Sequence, residues 1–589
     1  MPLPSKPQGL FAQLRRLLPY LQRHQRKVYL GILFITVSNV CSTTIPRVVG
    51  STIDQLQMAS VDAADVVVHL SAILLLTVGS GFFMFATRRT IIVASRLIEE
   101  DLRNDLVNAL RRQDQSFYQS RSTGSILAHA SSDIGAVREF IGPAIMYSTN
   151  TITTFAFAFT WMVLLHGWLT AAIVVPIPFI AYATYKLGKL IHERYKLVQQ
   201  QYEHITTHAQ EAFSGIRVVR AYSQEQQESQ RFRDLSTVYY RQNMSLARVQ
   251  ALMMPAMTVL FNLTYVAVLG VGGWLITQQN LTVGQLTQFF IYLNQLLWPI
   301  AAIGWVTGMI QRGAASMTRL ASIIDHEPVI HDVGAMAAPF EPLLGSVSFQ
   351  NVSLNLGGRD VLTNINLEVP AGSSVGIVGA VGSGKSSLVN LIPRLFDPSR
   401  GTVLIDGCDV RTIPLGRLRA SIAVVPQESF LFSTSIRENI RFGNTDASED
   451  AVVDAANVAC LSADILDMPN GFDTIVGERG ITLSGGQKQR TALARAVIAK
   501  PSILILDDAL SAIDTNTEER IRRALLPVMA GRTSFIVAHR LSTVQHCDVI
   551  VVLSDARIIE QGSHSELLAR SGVYAAMFAR QQLEREVES

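Results

Sequence analysis

The chain has 589 residues, too many for one domain of ordinary size. Apolar residues make up 48% and charged residues 16%, well under the roughly 25% charged in soluble proteins, which points to membrane. A net charge of +3 gives no ground for a nucleic-acid partner, and the four cysteines (Cys41, Cys408, Cys460, Cys547) stand at no metal-ligand or redox spacing, so free thiols are expected.

Residues 1–27, "MPLPSKPQGLFAQLRRLLPYLQRHQRK", are basic and lack a small-residue cleavage site. They read as an amphipathic helix lying on the membrane surface. Apolar runs follow at 28–49, 66–86, 145–165, 169–187, 251–276 and 289–310, several of them near the roughly 20 residues that cross about 30 Å of hydrocarbon as helix. Buried helices of a large soluble protein would give similar runs, so the connections decide. "STIDQLQMASVDAAD", "HGW" and "TQQNLTVG" contain no lysine or arginine, whereas the opposite side carries "RRLLPYLQRHQRK", Arg88 and Arg89, and "KLGKLIHERYK". Positive residues stay with the cytoplasm, which predicts six spans within a domain at 28–326, with both termini and two long connections cytoplasmic.

Those connections, 88–140 and 188–250, keep helical spacing but are too polar for lipid, so the spans are expected to continue into the cytoplasm and turn near Gly124 and Gly215. Within the spans, Arg47, Asn262, Asn294, Gln295, Trp298 and Trp305 are the polar or bulky residues that could meet a cargo. A charge inside a span is a functional candidate by default, although Arg47 lies near enough to the outer surface to reach water. Beyond an amphipathic or lipid-like molecule, the spans specify no cargo.

From 327 to 344 the chain is an irregular linker, and from 345 to 589 β-branched runs alternate with helical stretches, an α/β pattern. Within "SSVGIVGAVGSGKSSLVNLIPRLF", residues 379–386 fit the phosphate-loop pattern between a strand and a helix. Gly379, Gly382 and Gly384 let the backbone, with Ser383 and Ser387, approach the phosphates of ATP. Lys385 is placed for the β- and γ-phosphates and Ser386 for Mg²⁺. "SILILDD" ends a strand in Asp507, a magnesium carboxylate in this reading. "TSFIVAHR" ends in His539, placed to sense the γ-phosphate, and Gln427 in "VVPQESFLF" is a further metal-side candidate.

"LSGGQKQR", residues 483–490, resembles the signature motif of the ATP-binding cassette (ABC) family; "VGERG", "SAID" and "STSIRENIRFG" stand around it in that family's order. Six spans ahead of one cassette resemble the half-size multidrug and lipid exporters, with "RSTGSILAHASSDI" and "EAFSGIRVVRAYSQE" similar to their intracellular loops. The resemblance covers nearly the whole chain. It implies a helical six-span domain fused to a P-loop cassette, two chains pairing their cassettes head to tail, and ATP held between one P-loop and the other chain's Ser484, Gly485, Gly486 and Gln487.

Two positions depart from the family pattern. Where that family has glutamate to orient the attacking water, this chain has Asp508, one methylene shorter, and a misplacement of about an ångström can cost about 10²-fold in rate. Where an aromatic residue stacks on adenine, this chain has Leu356. The expectation is therefore an ATP-driven exporter half in an inner or plasma membrane. Its partner would be a different half-transporter that supplies the glutamate. The alternatives are a homodimer using Asp508 as base, an ATP-binding regulatory membrane subunit, and an exporter-like importer of a chelated metal.

Overall fold

A computed structural model describes residues 15–57, 62–175, 177–332, 343–477, 480 and 482–588. Residues 1–14 of the expected surface helix, 333–342 of the linker, and Glu478 and Arg479 of "VGERG" lie outside the described residues. Two compact units emerge: one from residues 1–109 and 124–326, the other from 110–123 and 327–589.

The first unit is built from long helices: Gln25–Leu56, Ala63–Thr87 continuing through a wider turn at Arg88–Ile92 into Val93–Arg112, Ile145–Leu165, Ile177–Ser214, Glu225–Thr277 and Val283–Ile324. At 1.5 Å per residue the 53-residue helix Glu225–Thr277 is about 80 Å long, far beyond the roughly 30 Å of a hydrocarbon core. Spans thus run on into polar extensions, as the sequence pattern predicts. Starts are capped: Asp62 accepts from the Ala64 amide, and Thr282 and Gln285 form a reciprocal capping box.

Among the described residues three helices are long and apolar enough to cross a membrane: 25–56, 63–112 and 225–277. Six were expected. The 145–165 run forms an unbroken helix but carries Ser148, Thr149, Asn150, Thr151, Thr153 and Thr154, which dilute its apolar character. The 169–187 run is described as Gly167–Val174 and, beyond residue 176, as the start of Ile177–Ser214.

The second reversal falls where expected, with Gly215 closing one helix and opening the short helix Ile216–Ala221. Near Gly124 the helices break at Arg121 and Ser122, inside the expected stretch 118–125. Gly124 itself lies inside the helix Thr123–Ala128, which follows the short helix Gln115–Ser120. Asp114 caps that helix by accepting from the Phe117 amide, and Arg121 leaves it in an extended conformation. The Asp114 carboxylate also accepts from the Val329 amide at 2.9 Å, tying residues 110–123 to the start of the linker within the second unit.

An ionic cluster forms around the buried Asp133 in the first unit. Asp133, 6% exposed, accepts from Arg319 Nε at 3.0 Å and from Ser316 Oγ at 2.9 Å, and lies 2.6 Å from His129 Nδ1. Burial alone would raise the carboxyl pKa, but the hydrogen bonds from Arg319, His129 and Ser316 outweigh it and hold it at about 2.

The second unit contains an antiparallel sheet and a mostly parallel one. In the first, β1 (Val347–Leu356) lies between β2 (Arg359–Val369) and β4 (Arg400–Ile405), with the short β5 (Cys408–Asp409) at the edge. The second is ordered β10-β9-β3-β8-β7-β6, from β3 (Ser374–Gly379), β6 (Ile422–Val425), β7 (Ile503–Asp507), β8 (Thr533–Val537), β9 (Val549–Ser554) and β10 (Arg557–Gly562). All but β10 run parallel. Every residue of β7 and β8 is buried, as continuous apolar runs covered on both faces should be. One core, around Phe349, Ile377 and Phe535, joins the two sheets; another, around Leu493, Leu504 and Ile536, lies on the far face of the parallel sheet.

Candidate nucleotide site

Parallel register aligns the carboxyl ends of the central strands: Val537 of β8 pairs with Asp507 of β7 on one side and Ile377 of β3 on the other. The loops leaving these ends therefore converge, the usual place for a ligand in an open α/β sheet. They enclose a cavity of about 320 Å³ lined by Gly382, Gly384, Lys385, Ser386, Ser387, Gln427, Asp507, Asp508 and His539, together with Val361, Val381 and Val537. Residues from five separate stretches of sequence meet there.

The phosphate loop is shaped by backbone that side chains would obstruct. Gly384 has φ +98°, and a Cβ on it would lie 2.6 Å from the Val361 carbonyl oxygen; on Gly379, φ +152°, it would lie 2.2 Å from that of Leu553. Only glycine closes the loop this tightly. Ser383 sits behind the lining, its buried Oγ without a partner. Lys385 is 6% exposed, and its Nζ donates to the carbonyls of Gly379 at 2.9 Å and Ala380 at 2.8 Å. Burial pulls its pKa down, opposed by the carboxylates of Asp508 and Asp507.

Ser386 Oγ donates to Asp507 Oδ1 at 3.0 Å, which brings the two expected magnesium ligands side by side. Burial raises the Asp507 pKa, and neighbouring Asp508 adds to this against the Ser386 hydrogen bond. Among the described residues no cluster of three His, Cys, Asp or Glu could hold a metal. One carboxylate, a hydroxyl and the Gln427 amide suit Mg²⁺, which keeps waters and shares phosphate oxygens, and not a protein cage for zinc or calcium.

Asp508 adopts φ +49°, left-handed backbone that aspartate tolerates better than longer side chains do. Its amide donates to the Val537 carbonyl at 2.9 Å, and its carbonyl accepts from Ser511 Oγ at 2.9 Å. Strand β8 thus fixes the acid from behind.

The signature residues lie elsewhere. Ser484 caps the helix Gly485–Ile498 in a reciprocal box with Gln487, whose Nε2 also donates to Asp464 at 3.1 Å. None of Ser484, Gly485, Gly486 or Gln487 lines the cavity. Gln489 links this helix to the 511–514 loop, donating to Ser511 Oγ at 3.2 Å and accepting from the Ala512 amide at 3.0 Å. Leu356 stands at the tip of the β1–β2 hairpin, half-buried against the core of the antiparallel sheet, and the cavity takes Val361 in its place.

Sequence reasoning missed two supports of His539. The buried Glu518 accepts from Arg540 Nη1 at 2.8 Å and Thr543 Oγ1 at 2.7 Å just beyond the histidine. Gln581, on the helix Val573–Glu588, donates to the His539 carbonyl at 2.7 Å and accepts from the Leu541 amide at 2.9 Å. Neither belongs to a motif, so only the fold reveals them.

Residues 28–300 match the family described as the ABC transporter transmembrane region, and residues 362–511 the ABC transporter family. The chain is 34% identical to the probable multidrug resistance ABC transporter ATP-binding/permease protein YheI of Bacillus subtilis, over 98% of each chain. It is 32% identical to the multidrug resistance-like ATP-binding protein MdlA of Escherichia coli, over 98% of this chain and 97% of that one. Among solved structures, a bacterial Atm1-family ABC exporter with ATP bound superposes with a TM-score of 0.77 at 28% identity, over 95% of this chain and 98% of the other. Cavity, strand order and relatives agree: the chain belongs to the ABC transporters, membrane proteins that couple ATP hydrolysis to transport, and has the fold of their exporters.

Proposed function

We propose that this chain is one half of a heterodimeric exporter that moves an amphipathic molecule, drug, lipid or peptide out across a cell's inner membrane, with both termini cytoplasmic. MgATP binds in the 320 Å³ cavity. Lys385 meets the β- and γ-phosphates, Ser386, Asp507 and Gln427 hold the ion, and His539 lies against the γ-phosphate. The bound magnesium offsets phosphate charge and orients the terminal phosphate.

The observation that carries the reading is the separation of the signature from an otherwise complete phosphate cavity. A second cassette must bring its own signature to this cavity, and Ser484 to Gln487 must serve that partner's P-loop. Asp508 supplies the asymmetry. Its carboxylate ends one methylene short of a glutamate on a backbone pinned to Val537, so water is poorly placed here and turnover falls to the partner's site. ATP favours the closed pair of cassettes because only that state completes its contacts, and this differential affinity drives alternating access.

Native purification from the source membrane tests the proposal. A second half-transporter with glutamate at the matching position should accompany the chain, and inside-out vesicles holding both should accumulate an amphipathic cargo with ATP. A homodimer with brisk hydrolysis would overturn the asymmetry, and vesicles that move no cargo with any co-purifying partner would overturn the exporter itself.

A further inference from the structure

Behind the nucleotide site, on the side of the sheet covered by the helix Thr515–Met529, lies a second cavity of about 360 Å³. Protein interiors pack with few voids larger than a water molecule, so a space of this size bounded by side chains calls for an occupant. We propose that it is a binding site for an uncharged amphiphile of drug size, with an apolar body and one hydrogen-bonding end, whose occupancy adjusts ATP turnover.

The walls dictate the class of ligand. Leu506, Leu525, Met529, Ile536 and Cys547 form an apolar interior, and Leu526, 52% exposed, stands at the mouth. Burial pushes the Cys547 thiol up to about 12, so it remains a neutral wall atom. Polar cavities of this size fill with water, whereas apolar ones stay dry and accept apolar guests. Methionine adapts to guests of differing shape.

Charges around the mouth are already matched. Glu518 accepts from Arg540 and Thr543, and Arg522 holds Glu519 through Nε at 2.8 Å and Nη2 at 2.7 Å. An anionic guest would have to compete with Glu518 and Glu519 for these guanidiniums, which favours an uncharged occupant. Hydrogen-bonding capacity does remain at the rim, where His546 also stands. One polar end is thus accommodated and a net charge is disfavoured.

Coupling to turnover follows from shared walls. Asp508, Val537 and His539 line both this cavity and the nucleotide cavity. Ser511, whose hydroxyl bonds the Asp508 carbonyl, also lines the second one. A guest pressed against these residues biases the position of the acid and the histidine without entering the phosphate loop. Because both residues line the nucleotide cavity, it alters how this site handles ATP, in rate or in affinity.

Photolabelling the purified full chain, with whatever chain accompanies it, tests this with benzophenone as the probe. Peptides from 506–547 should carry label at saturating MgATP, and benzophenone should alter the ATPase kinetics, in maximal rate or in KM for MgATP. Leu526→Glu places a charge at an exposed mouth position, and Met529→Trp fills the interior; each should reduce the label there about tenfold, an affinity loss of about 1.4 kcal/mol. Binding of a fluorescent ATP analogue shows that each variant is folded. Absence of label in 506–547, undiminished label in both variants, displacement of label by MgATP, or ATPase kinetics unaltered in both maximal rate and KM would each overturn the proposal. Labelling needs neither a second half-transporter nor transport, so it can succeed where the exporter reading fails, and the reverse.

Discussion

The helix Ala63–Thr87 and the strand β7 are both apolar runs, yet they bury opposite amounts. Along the helix Leu74, Leu75, Phe82 and Phe85 are exposed and only Thr87 is buried; along β7 nothing is exposed. An apolar side chain in the first unit has lipid as an adequate solvent and needs no protein neighbour, so its identity constrains little beyond the span. In the second unit an apolar run must be covered on both faces, which fixes the strand, its register and the residue it delivers at its end. Polar residues carry specific information in both units, and that contrast can be broken experimentally.

The largest effect is expected from the polar residue at the centre of the first unit's ionic cluster. Asp133→Ala removes the partner of Arg319, His129 and Ser316; Arg319 keeps half its side chain in solvent, which limits the cost to about 3 kcal/mol. A thermal melt in detergent should show a large drop, with nucleotide binding to the cassette retained. Replacing Arg319 by leucine in the same chain should recover part of the loss, because the orphaned guanidinium is then gone. A melt unchanged by Asp133→Ala would mean that lipid-embedded packing alone holds these helices.

Next comes the acid in the cassette. Asp508→Glu in the assembled transporter should raise ATP turnover by up to about 10²-fold, since an ångström of reach is restored. The left-handed backbone at this position, φ +49°, suits aspartate better than glutamate, so the same variant should lose about 1 kcal/mol of stability. A single-turnover assay and a melt separate the two. Unchanged turnover would place the limit elsewhere and remove the reason for an asymmetric pair.

The Asp133 cluster also predicts a pH response. Its carboxyl is held at about 2 against an ordinary value of 3.8, so the folded state binds that proton less readily than the unfolded chain. The stabilisation, about 2 kcal/mol, is complete above 3.8 and is lost as pH falls through about 2. In Asp133→Asn that component of the acid transition should vanish; a transition of unchanged shape would show that other carboxylates govern it.

Much of the nucleotide site was legible because its chemistry demands particular residues at fixed offsets. Lys385 and Ser386 must follow the glycine loop, and Asp507 must end a strand, so the motif implies the geometry and the structure gathers them in one cavity. Supports such as Glu518 and Gln581 were not legible. They act on His539 through the fold, and a glutamate or glutamine on a helix looks like any solvated residue in sequence. The break near Gly124 was legible at Arg121 and Ser122, whereas the cap that Asp114 puts on the short helix before it was not. In the spans, threonines bonded to their own helix's carbonyls, as Thr153 is to Thr149 at 2.7 Å, lower the apolar signal without costing satisfied hydrogen bonds.

The smallest expected effect lies at Leu356, where the two kinds of information meet. The hairpin tip holds this residue opposite Arg359, half-buried against the antiparallel sheet and outside the lining of the phosphate cavity. A leucine there earns its place by packing, whereas an aromatic ring could also lie on a purine. Leu356→Tyr should keep the sheet intact and add about 1 kcal/mol of stacking, a gain of roughly fivefold in ATP affinity. The gain should extend to other purine nucleotides and be absent for inorganic triphosphate, since the ring touches only the base. Equal gains for ATP and triphosphate would mean that tyrosine acts by reshaping the phosphate loop through Val361; no gain for either would mean that the base lies away from this hairpin, and that Leu356 is a core residue and nothing more.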